Sequence, residues 1–154
     1  MYVIDTSVVS ALHRNYFRSR FVTLWKLFDE MVLAGGFTST REALRELEDQ
    51  GGSAYEWALK NPDLFTTPDA QEGAFVAKIY AVPHFQANME RQKLLQGGRN
   101  ADPFLIARAA ATKSTMLTME KLRQNAAKIP NICGHFSIPC VDLEQFMEKE
   151  GWTF

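Results

Sequence analysis

Short runs of strand-forming residues recur along this chain, and between them lie segments with apolar residues at helical spacing. Tyr2 to Ile4, Phe37 to Ser39, Leu64 to Thr66, Met116 to Thr118 and Cys140-Val141 are the extended runs. Strands separated by helices cannot pair as hairpins, so they predict a parallel sheet covered by helices on both faces. The expectation is a three-layer α/β/α domain spanning 1–154 with a mostly parallel central sheet.

The helical segments have readable boundaries. Thr6 or Ser7 can cap a helix running to about His13. Phe21, Leu24, Trp25, Phe28, Met31 and Val32 share one face of a second, which Gly35-Gly36 stops. Ser39 or Thr40 can cap a third, bearing Ala43, Leu44 and Leu47 and closed by Gly51-Gly52. Further helices are expected over 54–60, from Thr67-Pro68 to about Tyr80, and over 85–95, 101–112, 121–127, 131–135 and 143–149. The stretch 69–95 is a helix-rich insertion in the middle of the alternation.

In such a sheet, ligands sit beyond the carboxyl ends of the strands. The chain opens MYVIDTS, and Asp5 follows the first strand at that edge. Glu42 and Glu46 lie one turn apart on the helix after the second strand and project from one face. Asp102 opens the helix in NADPFLIARAAA, and Glu120 follows the strand MLT by two residues. Four segments thus deliver carboxylates toward one end of the sheet.

Two carboxylates about 5 Å apart repel by roughly 3 kcal/mol at an effective dielectric near 20. A cluster of them raises its own pKa values or recruits a hard divalent cation such as Mg²⁺ or Mn²⁺. That ion suits hydrolysis of a phosphate ester. The plainer alternative is that Asp5 and Asp102 are turn or cap residues and that Glu42 and Glu46 are solvated, beside Arg41 and Arg45.

The stretches VIDTS, STREALREL, ADPFLIARA and LTMEK, in that order, resemble the four acidic motifs of PIN-domain ribonucleases. KIPNICGHFSIPCVDLEQFMEKEGWTF is similar to the C-terminal part of a PIN-like branch, a domain of unknown function whose members look like toxins of toxin–antitoxin pairs. The resemblance implies metal-dependent cleavage of single-stranded RNA, with water as the nucleophile. It implies Asp5, Asp102 and one of Glu46 or Glu42 as ligands of Mg²⁺ or Mn²⁺. Glu120 would hold a second ion or orient water, and Ser7 and Thr118 would support the acids with their hydroxyls. A phosphatase or phosphotransferase with Asp5 as covalent nucleophile, and a non-catalytic RNA- or protein-binding module, are the rivals.

Arg41, Arg45, Arg99, Arg108, Lys113, Lys121 and Arg123 lie near these motifs and form a candidate rim for phosphate. Arg99, Arg45 and Lys121 are the foremost of them. The charge balance, 17 Lys+Arg against 18 Asp+Glu, argues for a local rim rather than a cationic coat. Apolar residues of the insertion (Phe75, Ile79, Val82, Phe85, Met89) offer core, a homodimer surface or a groove for an antitoxin. Cys133, His135 and Cys140 lack the paired spacing of a structural zinc site and read as core. With two cysteines, no leader pattern and no apolar run long enough for a bilayer, the expected setting is cytoplasmic, with no membrane partner.

Overall fold

Tyr2, Val3 and Ile4 form strand β1 (Tyr2–Ile4), and all three are buried. A strand apolar on both faces belongs inside a sheet covered on both sides, and β1 is the central strand. The computed structural model describes residues 1–95 and 97–154. Around β1 lie β2 (Phe37–Thr40), β3 (Phe65–Thr66), β4 (Thr115–Leu117) and β5 (Cys140–Val141), in the order β3-β2-β1-β4-β5. Every neighbouring pair is parallel, with Tyr2 opposite Phe37 and Thr115, and Ile4 opposite Leu117.

The helices are α1 (Thr6–Asn15), α2 (Val22–Leu33), α3 (Arg41–Gln50), α4 (Gly52–Lys60), α5 (Ala70–Tyr80), α6 (Pro83–Leu95), α7 (Asp102–Thr112), α8 (Ile129–His135) and α9 (Leu143–Glu150). From β1 the chain steps one way to β2 and β3, then crosses back to β4 and β5. Right-handed crossovers put α1–α4 on one face and α5–α8 on the other. The aromatic contacts agree. Phe28 meets Phe37 and Trp57 on the first face, and Phe136 meets Phe75 and Phe85 on the second. α9 returns to the first face, its Phe146 ring 4.9 Å from Tyr2. This is the expected α/β/α layering.

α7 is the hub of the second face. It buries Leu105, Ile106, Ala107 and Ala109 and packs on β1, β2 and β4, with α5 laid against it. Fully buried Phe28, Phe146, Leu105, Ile106 and Met116 each contribute about 1.5–3 kcal/mol by leaving water. The strand ends that carry the acids are therefore anchored in the buried core.

Three local expectations are corrected. α5 starts at Ala70 rather than Thr67-Pro68, because Asp69 takes the cap, its Oδ1 accepting the Glu72 N–H at 2.8 Å. No helix forms over 121–127. Asn125 is left-handed at φ 61°, and the Asn131 amide holds both backbone groups of Arg123 instead. The helix expected over 131–135 starts earlier, at Ile129, with Pro130 in its first turn. Among the described residues no helix is long and apolar enough to cross a membrane.

Candidate active site

Asp5 is the first residue past β1, and its N–H still bonds Leu117 O of β4 at 3.0 Å. The sheet thus fixes its backbone at the point where strand order reverses, between β1 and β4, the place α/β sheets leave for a ligand. Its side chain is 3% exposed. Oδ2 accepts from Ser7 Oγ and from Thr118 Oγ1, the latter at 2.8 Å, and Oδ1 accepts from Thr6 Oγ1 at 3.3 Å. Thr118 Oγ1 in turn accepts the Glu120 N–H at 3.1 Å, and Ser7 Oγ the Met119 N–H at 3.0 Å. Each hydroxyl has one proton. With a backbone N–H on its lone pair, that proton is aimed at Asp5.

Glu46 reaches the same place from α3. Its Oε1 accepts the Ala101 N–H at 2.7 Å and its Oε2 accepts from Thr6 Oγ1 at 3.0 Å. The single Thr6 proton is therefore shared between two carboxylates. Asp102 opens α7, with its N–H on Asn100 Oδ1 at 3.1 Å. Glu120 is pinned by the Ile129 N–H, 2.8 Å from Oε2, at the start of α8.

Asp5, Glu46, Asp102 and Glu120 line one cavity of about 320 Å³, joined by Thr6, Ser7, Ser10, Arg14 and Gln50. Burial pushes the Asp102 carboxyl well up, and the charges of Glu120, Asp5 and Glu46 push it further, with Lys128 opposing. Burial likewise raises Glu46 and Glu120, against the lowering effect of their backbone donors. None of the four forms an ion pair among the described residues. Among the described residues no three His, Cys, Asp or Glu side chains stand close enough to grip an ion. The donor set is all carboxylate and hydroxyl oxygen under mutual repulsion, which fits a hard divalent cation and no soft metal.

The remaining candidates divide. Glu42 does not join the acids; it pairs with Arg41 at 3.1 Å and lines a neighbouring cavity with Arg45 and Arg99. Arg99 stands 3.5 Å from Asp49. Lys121 binds Asp142 beyond β5 and lines a different surface hollow. Arg108 is no part of a rim. It is 5% exposed, with Nε 2.6 Å from Glu72 Oε1 and its Nη1 on Thr38 Oγ1 and Ser39 O. Cys133 and Cys140 are neighbours, and their hydrogen bond, then burial, pushes the Cys133 thiol up. His135 packs on the Phe85 and Phe136 rings.

Thr6 as a bridge between acids, and Ser10, Arg14 and Gln50 as lining, were not anticipated. A signal was present: Thr6, Ser10 and Arg14 recur every four residues on α1, and Gln50 follows Glu46 by four on α3. Ser10 Oγ donates to Gln50 Oε1 at 2.7 Å, joining those two faces.

A family model described as a domain of unknown function, DUF4411, matches residues 2–154. No curated protein and no solved structure matches the chain.

Proposed function

We propose that this chain, which belongs to the DUF4411 family, is a metal-dependent endonuclease that cleaves single-stranded RNA. The observation that carries the reading is the convergence of four carboxylates on one cavity, from four separate segments and with none of them in an ion pair among the described residues. Structural carboxylates are ordinarily paired or solvated singly. Burying carboxylates together is costly, as the upward shifts of Asp102, Glu46 and Glu120, caused first by burial, reflect, and a cationic ligand accounts for the cost.

Asp5, Glu46, Asp102 and Glu120 would hold Mg²⁺ or Mn²⁺, which when bound offsets their repulsion and supplies positive charge against a phosphodiester. The chain's own part is positioning. Ser7 and Thr118 fix the Asp5 carboxylate by donating to one of its oxygens. Thr6 and the Ala101 N–H fix Glu46. Glu120, with Oε2 anchored on the Ile129 N–H, orients a water for attack. The water oxygen bonds to phosphorus and gives up a proton, the bond to the leaving ester oxygen breaks, and that oxygen takes up a proton in its place. Asp5 is poorly disposed to be a covalent nucleophile itself, because three hydroxyls already donate to its two oxygens. The resemblance extends the proposal to a cytoplasmic toxin restrained by an antitoxin protein.

The test pairs mixed single-stranded RNA and a generic phosphomonoester with wild type and Asp5→Asn, first with Mn²⁺ or Mg²⁺ and then with chelator. RNA cleavage that needs the ion and disappears in Asp5→Asn supports the proposal. Monoester turnover, or RNA binding with no cleavage under any condition, overturns it.

A further inference from the structure

Between Asp5 and Asp29 the sequence has no acid and four basic residues, Arg14, Arg18, Arg20 and Lys26. Tyr16, Phe17 and Phe21 are interleaved with them. Cations mixed with aromatic rings suit single-stranded nucleic acid, so what matters is where the fold puts this stretch.

It makes the stretch continuous with the acid cavity. Ser10, Arg14 and Gln50 line that cavity and also a hollow of about 490 Å³ between α1 and the start of α4. His13 and Ser53 line this hollow and also a further one, of about 680 Å³, walled by Tyr16 and Phe17. The three join as one groove along α1, whose 10 residues span about 15 Å, the reach of a few nucleotides.

Charge and exposure decide what such a groove holds. The middle hollow has no acid on its wall among the described residues. In the last hollow Arg18 holds Asp29 through hydrogen bonds of 2.8 and 3.2 Å, and Glu56 is the other acid lining it. Arg14 at the acid end and Lys60 in the last hollow are exposed, and neither forms an ion pair among the described residues. Phe17 is 59% exposed on a pinned turn. Its carbonyl accepts the Arg20 and Phe21 N–H groups, each at 2.9 Å, and the Tyr16 carbonyl accepts from Trp25 Nε1 at 2.6 Å. A ring held in water on a fixed backbone is a platform for an unpaired base, whereas bases in a duplex already stack on one another. An acidic peptide is also drawn to Arg14 and Lys60, but its carboxylates then meet those of the acid cavity. A phosphodiester that meets a divalent cation there has its charge offset.

We propose that this groove is the track along which single-stranded RNA reaches the acid cavity, with Arg14 and Lys60 on its phosphates and Phe17 under a base. The inference rests on the nuclease reading for what happens at the acid end, and the test measures strand binding apart from cleavage. A labelled single strand of about 12 nucleotides, and the matching duplex, are titrated by fluorescence anisotropy in chelator over a range of salt. Wild type is set beside Phe17→Ala, the pair Arg14→Gln with Lys60→Gln, and a control pair of exposed lysines on α5 and α9, Lys78→Gln with Lys149→Gln. Thermal unfolding checks that each variant folds.

The groove pair is expected to weaken single-strand binding about tenfold or more and to lower the slope of log affinity against log salt by about 1.4, as for two lost phosphate contacts. Phe17→Ala is expected to weaken it about tenfold at unchanged slope, and to leave duplex binding as it was. The control pair is expected to stay within about twofold of wild type. Unchanged binding in the groove pair or in Phe17→Ala, or an equal loss in the control pair, overturns the track. Poly-glutamate bound as tightly as the RNA overturns it in favour of an acidic protein partner. Mn²⁺-dependent cleavage of subsaturating RNA that is undiminished in the groove variants overturns the track and leaves the nuclease standing. Single-strand binding lost in the groove variants, in a protein that cleaves no RNA, supports the track and sinks the nuclease.

Discussion

Thr118 Oγ1 donates to Asp5 Oδ2 at 2.8 Å, joining the carboxyl ends of β4 and β1. The same oxygen accepts the Glu120 N–H, so one hydroxyl positions two acids. Thr118→Val keeps the shape and removes both roles. It is expected to cost about 1–3 kcal/mol in stability, from polar groups left unpaired. Mn²⁺ affinity or cleavage is expected to fall by about 10–100-fold, as for other groups that orient metal-binding residues. Thr118→Ser keeps the hydroxyl and is expected to recover most of both. Urea denaturation and Mn²⁺ titration of the two variants check this.

The raised carboxyls of Asp102, Glu46 and Glu120 make stability depend on pH. The folded protein keeps protons that the unfolded chain has already released. Stability of the ion-free protein is therefore expected to fall as pH rises from the ordinary carboxyl range near 4 through the raised values, then to level off. Asp142 acts in a separate, lower window. The Gln145 N–H and Lys121 hold its carboxyl down, so its contribution is present above the ordinary value and is lost as pH falls below it. Denaturation in chelator from about pH 4 to pH 8 should show the decline, and Mg²⁺ or Mn²⁺ should oppose it. A profile that rises across this range would refute the assignment.

Asp102 is the acid with least support: among the described residues no hydrogen-bond donor reaches its carboxylate, and only the charge of Lys128 opposes burial and three like charges. Asp102→Asn removes the charge and keeps the size. It is expected to stabilise the ion-free protein near pH 7 by about 0.5–2 kcal/mol while abolishing RNA cleavage, the trade common at strained functional sites. It should also flatten the pH decline described above. Thermal unfolding in chelator, beside a cleavage assay, reads both effects.

How much of this was legible before the fold was known differs residue by residue. The strand-end position of Asp5 and the carboxylates on four segments follow from local pattern, because β and helical periods set which edge each acid meets. Glu42 and Glu46 could not be separated that way, since one turn of helix puts both on the same face. A contact across 55 residues separates them: the Ala101 N–H reaches Glu46 Oε1, and the 98–102 segment divides the two cavities. Over 121–127, helical composition lost to a left-handed Asn125 and the Asn131 side chain, neither marked by periodicity. Arg108 was legible and misassigned. It shares the buried face of Leu105 and Ala109, and its charge type hid what its spacing shows.

That buried arginine yields the last expectation. Arg108 and Glu72 are each 5% exposed and 2.6 Å apart, and Arg108 also ties Thr38 and Ser39 to α7. Among the described residues Glu72 Oε2 has no partner, so the pair is incompletely satisfied. Glu72→Gln strands the guanidinium in the interior and is expected to cost about 3–5 kcal/mol. Replacing both, Arg108→Met with Glu72→Leu, removes the charge together with its partner. The double variant is expected to lose less than the sum of the single changes, because an apolar pair of similar volume needs no solvation. A double-mutant cycle by chemical denaturation measures the coupling. Additive losses would mean that the two side chains are held by their separate neighbours and not by each other.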